Sequence, residues 1–326
     1  MLLEAGTNAV GRGSLVADRL RGIRLPIPAI FPLVLASILW GTTGTAAAFL
    51  DSVGPLAIGA STMVVGGALL CASSARGAAS ALRDRASRPW LLLGALGVAV
   101  YPLSFYSAMD LAGVAVGNVV ALGSGPVFAA LFEWIWERQA LRRRGAASTA
   151  LAVVGVVLLG FGGRADAAGI VAVGGAVLAG VLLGLAAGFS YALYTYSAIR
   201  AIRHGHGGRA VMGGTFGLGA VGLLPILIVT GAPLLSSPAN VGIAAYLAIG
   251  PMFVAYLLFA NGLGKLRSSA VTTVTLIEPV VATLLAVVIL SERLTLAGWL
   301  GAALVLAGVS LLSSSRPGAG STAPAR

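Results

Sequence analysis

Apolar runs about 20 residues long, the length that crosses a bilayer as a helix, recur from Ile30 to Ser313 and are divided by short polar connectors. Ten such runs can be marked: 30–50, 55–75, 90–110, 112–132, 147–163, 175–200, 209–230, 241–263, 269–290 and 296–314. They predict an all-α polytopic membrane protein with ten transmembrane helices. Only Asp110-Leu111-Ala112-Gly113 separates the third run from the fourth, and merging that pair would give nine.

Composition agrees with a bilayer as the solvent. Of 326 residues 58% are hydrophobic and 10% charged, and the mean hydropathy is +0.98, which leaves too little charge to cover a soluble globule. The basic residues fall in alternate connectors. Arg12, Arg19, Arg21 and Arg24 precede the first run; Arg76, Arg83, Arg85 and Arg88 lie between the second and third; Arg138, Arg142, Arg143 and Arg144 follow the fourth. Arg200, Arg203 and Arg209, then Lys265 and Arg267, then Arg316 and Arg326 continue the alternation, so that nineteen of 21 basic residues share one side, with Arg164 and Arg293 outside. The positive-inside rule then places both termini in the cytoplasm of a multi-pass protein of the plasma or inner membrane. The same distribution argues against nucleic acid as the reason for the net charge of +11, because the arginines are spread along a rim and not gathered on a recognition element.

Residues 1–28 lack an apolar core followed by a small-residue cleavage site and read as a cytoplasmic tail; residues 315–326 have a disordered composition. Cys71 is the one cysteine, so an intrachain disulfide is excluded. No cofactor motif stands in context: Gly217-Leu218-Gly219-Ala220-Val221-Gly222 imitates a dinucleotide fingerprint inside an apolar run, with no strand before it. His204-Gly205-His206 has no Cys, Asp or Glu near it in sequence, and no metal site is expected there.

The two halves, 29–163 and 175–314, resemble each other. A shift of 153 residues sets Phe105-Tyr106 on Leu258-Phe259 and Pro126-Val127 on Pro279-Val280; a shift of 151 sets Trp40-Gly41 on Tyr191-Ala192. Five runs per half is an odd number, so the second copy enters from the opposite face: two inverted five-helix repeats. Low-complexity apolar helices also align by chance, and the matched prolines and Glu137-Arg138 with Glu292-Arg293 weigh against that. Repeats of this kind permit alternating access to a central site.

Leu39-Trp40-Gly41-Thr42, Leu276-Ile277-Glu278-Pro279-Val280-Val281-Ala282, Ser291-Glu292-Arg293-Leu294 and Gly301-Ala302-Ala303-Leu304-Val305-Leu306-Ala307-Gly308 resemble EamA-type members of the drug/metabolite transporter superfamily, over roughly residues 28–314. The resemblance implies ten helices in two inverted repeats, a central cavity and export of amino acids or related small metabolites. The first half departs from the pattern, since Gly125-Pro126 stands where the second half has Glu278-Pro279.

Glu278 is the candidate proton-coupling residue. It lies mid-span without a basic residue within ten positions, where a charge costs roughly 2.5–3.5 kcal/mol on insertion scales, so it should face protein or water. The alternative is a carboxyl kept protonated that hydrogen-bonds a neighbouring helix. Pro126 and Pro279 each remove a helical donor, and they are expected to break spans 4 and 9 at matching depths. Trp40, Thr42, Tyr101, Tyr106, Asn118, Tyr191, Tyr194 and Asn261 are the candidate substrate-binding residues, among mid-span polar and aromatic positions that also include Thr43, Ser124, Thr195 and Tyr256. Each alone would serve as well to join helices. Trp90, Trp134 and Trp136 read as interfacial anchors, and the glycines at 180, 184 and 188 as a close-packing stripe. The reading is a secondary exporter of a small molecule in a lipid bilayer, with protons as the expected coupling ion and no nucleotide-binding element. An intramembrane enzyme acting on a lipid-linked substrate, or a receptor or scaffold that moves nothing, is the competing class.

Overall fold

The computed structural model describes residues 27–138, 175–263, 277–289 and 293–313, with a few isolated positions between them. All regular structure among these residues is helical. In order they are α1 (Ile27–Gly41), α2 (Thr43–Ala48), α3 (Pro55–Ser73), α4 (Ala75–Arg83), α5 (Arg88–Ala112), α6 (Val114–Glu137), α7 (Gly175–Ile202), α8 (Gly208–Thr230), a 3-10 turn (Ala232–Leu235), α9 (Pro238–Leu247), a π-helical stretch (Ala248–Val254), α10 (Ala255–Leu263), α11 (Ile277–Ile289) and α12 (Leu296–Ser313). A backbone in hydrocarbon must satisfy its own polar groups, and helices do so segment by segment.

Seven helical stretches among the described residues are long and apolar enough to cross a membrane, and α12 contains a shorter one. They coincide within a few residues with eight of the expected runs. The described part of the ninth is α11, and most of the fifth, together with nearly all of both tails, lies outside the described residues. Large apolar side chains such as Leu96, Leu182, Val221 and Ile228 are exposed on the outside, whereas Ser37, Asn118 and Ser197 are wholly buried inside. That inversion is what a lipid solvent requires.

The strongest packing joins α5 to α7, α8 to α3 and α6 to α7, while α10 and α11 lie along α1. Small residues set these distances. A Cβ at Gly180 would meet the Ala112 amide at 2.8 Å, one at Gly184 the Val120 Cγ1 at 2.8 Å, and one at Gly188 the Ser124 hydroxyl, so the stripe on α7 is the seam with α5 and α6. Gly113, at φ 89°, is the single residue between α5 and α6, a backbone conformation that side chains disfavour.

The two ends of the bundle differ. One carries Arg76, Arg83, Arg85, Arg88, Arg203 and Arg209 on α4, the turn after it and the α7–α8 turn. The short amphipathic α4, hidden from a search for 20-residue runs, buries Ala78 and Ala81 and packs on α8. Asp84 closes the turn that follows: it accepts the Ala86 N–H at 3.1 Å, the Ser87 N–H at 3.2 Å and the Ser87 hydroxyl at 2.6 Å, and His206 Nε2 approaches to 3.2 Å. The fold thus supplies His206 with an acid that the linear sequence hid. The Ser87 hydroxyl first, then the Ala86 N–H, hold the Asp84 carboxyl down from 3.8 to about 2. A carboxyl lowered on folding contributes stability above its unfolded value and loses it as pH falls through the folded one. The difference in melting temperature between the wild type and Asp84→Asn should therefore shrink as pH falls from about 5 toward about 2; thermal denaturation in detergent across that range reads it.

The opposite end is tied by Asn240, 2% exposed. Its amide nitrogen donates to the Asp51 carbonyl at 3.0 Å and the Pro233 carbonyl at 3.2 Å, and its oxygen accepts the Asp51 N–H at 3.3 Å. Beneath it Ala47, Leu50, Met109, Val114 and Leu247 form a buried apolar plug.

Candidate functional site

Interrupted helix geometry builds the site. Between α1 and α2 the Thr42 hydroxyl donates to the Leu39 carbonyl at 2.7 Å, and the Thr42 N–H is shared between Ile38 and Leu39 carbonyls at 3.2 and 3.3 Å, which tightens the turn and bends the span. The second irregularity is the π-helical stretch around Pro251, whose carbonyl accepts the Trp40 indole N–H at 2.9 Å. Stretches of this type concentrate at functional sites. The irregularities therefore fall in spans 1 and 8. In span 4, where Pro126 predicts a break, α6 runs continuously from Val114 to Glu137. Pro126 removes one donor, and the rest of the helix carries the turn past it. Pro279 is the third residue of α11 as described, and the carbonyl of Thr275 that it would free lies outside the described residues.

These elements surround a cavity of about 640 Å³, within the size range of small-molecule sites. Its inner wall consists of Trp40 from α1, Thr43 from α2, Thr62 from α3, Tyr101, Phe105 and Tyr106 from α5, Leu122 from α6, Tyr191 and Tyr194 from α7, Tyr256 and Phe259 from α10 and Glu278 from α11. It continues past Met212 to Ile202 at the end of α7, Gly207 in the α7–α8 turn, and Gly208 and Arg209 at the start of α8. Among the described residues the lining therefore reaches the arginine-bearing end and includes none from the Asp51–Asn240 end, where Ala47, Leu50 and Leu247 belong to the buried apolar cluster.

The aromatic side chains are mutually braced. Trp40 lies edge-on to Tyr256 at 5.2 Å and against Phe259 at 5.3 Å; Tyr191 meets Tyr194 at 5.3 Å; Tyr101 lies 6.1 Å from Tyr191 and 6.0 Å from Tyr194. The hydroxyls of Tyr194 and Tyr256 share a hydrogen bond of 2.8 Å. Glu278 is within electrostatic range of Tyr101, Tyr191 and Tyr256. Its helix comes close to α1 at Gly41, where a Cβ would meet the Val281 Cβ at 2.6 Å and the Glu278 carbonyl at 3.0 Å.

Of the candidates from sequence, Trp40, Tyr101, Tyr106, Tyr191, Tyr194 and Glu278 converge on this cavity. Thr42 does not: its hydroxyl is turned to Leu39 and to the Tyr246 hydroxyl at 2.6 Å. Asn118 is buried outside the described lining, and neither end of its amide has a hydrogen-bond partner among the described residues. Asn261 lies on α10, its side chain outside the described residues. Sequence reasoning missed Thr62, Phe105, Met212, Pro251 and Phe259 as lining. The repeat register was a usable signal for one of them, since it pairs Tyr106 with Phe259 as it pairs Trp40 with Tyr191, and all four line the cavity. Trp90 packs on Tyr196 at 6.1 Å beneath the Arg200 guanidinium at 4.9 Å.

The wall depends on the close approach of α5 to α7. A Cβ on Gly97 would stand 2.8 Å from the Ser190 carbonyl and 3.1 Å from the Tyr194 nitrogen. Gly97→Val is expected to cost about 1–3 kcal/mol by overpacking and to lower the melting temperature in detergent, because the obstacle is backbone and cannot rotate away.

Comparison with known proteins agrees with this architecture. The EamA-like transporter family matches the chain twice, over residues 27–161 and 178–314. The "Uncharacterized transporter YwfM" of Bacillus subtilis is 33% identical over 283 residues, covering 86% of this chain and 92% of its own. An "Uncharacterized transporter" of Clostridium kluyveri is 26% identical over 192 residues, 56% of this chain and 58% of its own. A chain from a crystal structure titled only "Crystal structure of protein" superposes with a TM-score of 0.61 at 25% identity, over 87% of this chain and 96% of that one. Apolar helices arranged around a central cavity, in a chain that the family matches over both halves, make this multi-pass membrane protein a member of the EamA-like transporter family, within the drug/metabolite transporter superfamily.

Proposed function

We propose that this chain is a secondary transporter of the cell membrane that exports a small metabolite, an amino acid or a relative of one, by alternating access between two inverted five-helix repeats. The observation that carries the reading is a cavity lined from both halves whose described lining reaches one end of the bundle, while a buried apolar cluster stands toward the other. The positive-inside rule makes the arginine-bearing end cytoplasmic, so the cavity is in the posture that collects a solute from inside. Two family matches of similar length support the repeats, as does the direction of the chain: α1 and α2 lead toward the Asp51–Asn240 end, whereas α7 ends at the arginine-bearing one.

Glu278 is the proton-responsive group in this reading. Its carboxylate borders the cavity, and no hydrogen bond to it is formed among the described residues, so a proton arriving through the cavity meets an acid not already committed to a helix neighbour. Trp40, Tyr101, Tyr106, Tyr191 and Tyr194 form the substrate-binding surface, and rings braced on one another give a solute contact area without first having to be ordered. Efflux from proteoliposomes preloaded with amino acids and small organic solutes, with and without an imposed pH gradient, tests the reading. Gradient-dependent loss of one solute is expected; retention of every solute by folded protein would reject it.

A further inference from the structure

The cavity also indicates the charge of what it holds. Trp40, Tyr256, Tyr194, Tyr191 and Tyr101 follow one another around the wall at centroid separations of 5.2 to 6.1 Å, with the Tyr194–Tyr256 step bridged by the hydroxyl pair at 2.8 Å. The ring most effective toward cations, the indole, is held in orientation by its N–H on the Pro251 carbonyl. Beside this wall stands Glu278, the acid among the described lining residues, and the repeat register sets Gly125 opposite it, where the space a side chain would take is filled by Tyr191, whose Cδ1 lies 2.6 Å from an added Cβ. Faces of aromatic rings are electron-rich, and a cavity that they line together with a carboxylate favours a cation and disfavours an anion.

The base among the described lining residues is Arg209, and it stands at the mouth. It is the second residue of α8, seven residues before Phe216, the residue of that helix that touches Tyr194 at 5.4 Å and Tyr256 at 4.8 Å. Seven residues are about 10 Å of helix, a distance at which an arginine at an open mouth is largely screened.

We infer that the cavity selects an organic cation, an amine or ammonium head carried on an apolar or aromatic body, with the head between the Trp40–Tyr256 wall and Glu278. This rests on the transporter reading above and names the class of its substrate. A carboxylate on the solute would bring a second negative charge to Glu278, so an amine is preferred to the amino acid of the same skeleton.

Three solutes with one benzyl body and different charge test this: phenethylamine, phenylalanine and 3-phenylpropionate, measured by equilibrium dialysis against the full-length protein in detergent at pH 7 and by efflux from proteoliposomes. Phenethylamine is expected to bind at least about tenfold more tightly than 3-phenylpropionate, with phenylalanine between them. Glu278→Gln should erase most of that preference. Trp40→Leu should weaken phenethylamine by about tenfold and leave 3-phenylpropionate unchanged; far-ultraviolet circular dichroism and melting temperature show whether each variant is folded. Equal or tighter binding of phenylalanine or 3-phenylpropionate overturns the inference, as does no binding of phenethylamine by folded wild type. If one of the other solutes leaves the vesicles while phenethylamine does not bind, the cation assignment fails and the transporter stands. Phenethylamine bound with the expected preference but never moved keeps the assignment and rejects transport.

Discussion

Vesicles carrying Glu278→Gln should lose their solute at the same rate with and without an imposed pH gradient, and the gradient-driven component should fall to the leak of protein-free vesicles. The substitution keeps the shape of the side chain and removes the acid. Glu278 is the acid among the described residues of the cavity wall, so no neighbouring carboxyl there can take over the proton. The helix should survive the change, because an amide at that depth costs less than a charge and the contact of α11 with Gly41 is made by Val281 and the main chain. A variant present in the membrane at wild-type level with an unchanged melting temperature, yet indifferent to the gradient, is the expected result. Gradient-driven efflux at the wild-type rate would remove Glu278 from the mechanism.

The second large effect is expected at the closed end. Asn240 ties the α2–α3 turn to the α8–α9 connection through both the N–H and the carbonyl of Asp51. Asn240→Leu leaves these groups without their partners, a loss of about 1–3 kcal/mol. If that end opens during the cycle, its open form lacks these bonds already, and the substitution destabilises only the closed form. The open population should then rise about 5- to 150-fold. In a Cys71→Ser background a cysteine replacing Ala47, which is buried in the plug, reports the change through its rate of labelling by a membrane-impermeant maleimide. A rate unchanged by Asn240→Leu would mean that this end does not open around the Asp51 contact.

The spans were legible because a bilayer imposes a 20-residue average of hydropathy, and an average is insensitive to detail. What escaped the sequence depends on detail. The nine-residue α4, with Arg76 and Arg83 in it, reads as a connector, and it is a helix because Ala78 and Ala81 find α8 to pack on. The π-helical turn at 248–254 is joined to Trp40 by a hydrogen bond across 211 residues of sequence. Pro126 was a misleading signal, because α6 passes through it.

The same distinction runs through the site. Depth was readable: aromatic and acidic residues at mid-span converge on one cavity, as Trp40, Tyr101, Tyr191, Tyr194 and Glu278 do. The side of the helix was not, because these spans are apolar all round and carry no polar stripe to mark which face meets the cavity. Thr42 and Asn118 have the right depth and are not among the described lining, one bonded to Tyr246 and the other buried with no hydrogen-bond partner among the described residues. The register that aligns the two halves of the sequence carries information about facing, since it pairs Trp40 with Tyr191 and Tyr106 with Phe259, and all four line the cavity.

Alternating access is the central claim, and exchange across the membrane tests it most directly. Vesicles loaded with a radiolabelled solute that the protein moves are diluted into buffer with or without the same solute unlabelled, at equal pH on both sides. Unlabelled solute outside should accelerate the loss of label and the acceleration should saturate, because a binding site that returns loaded resets faster than one that returns empty. A rate of loss independent of the external solute would contradict a site exposed to one side at a time.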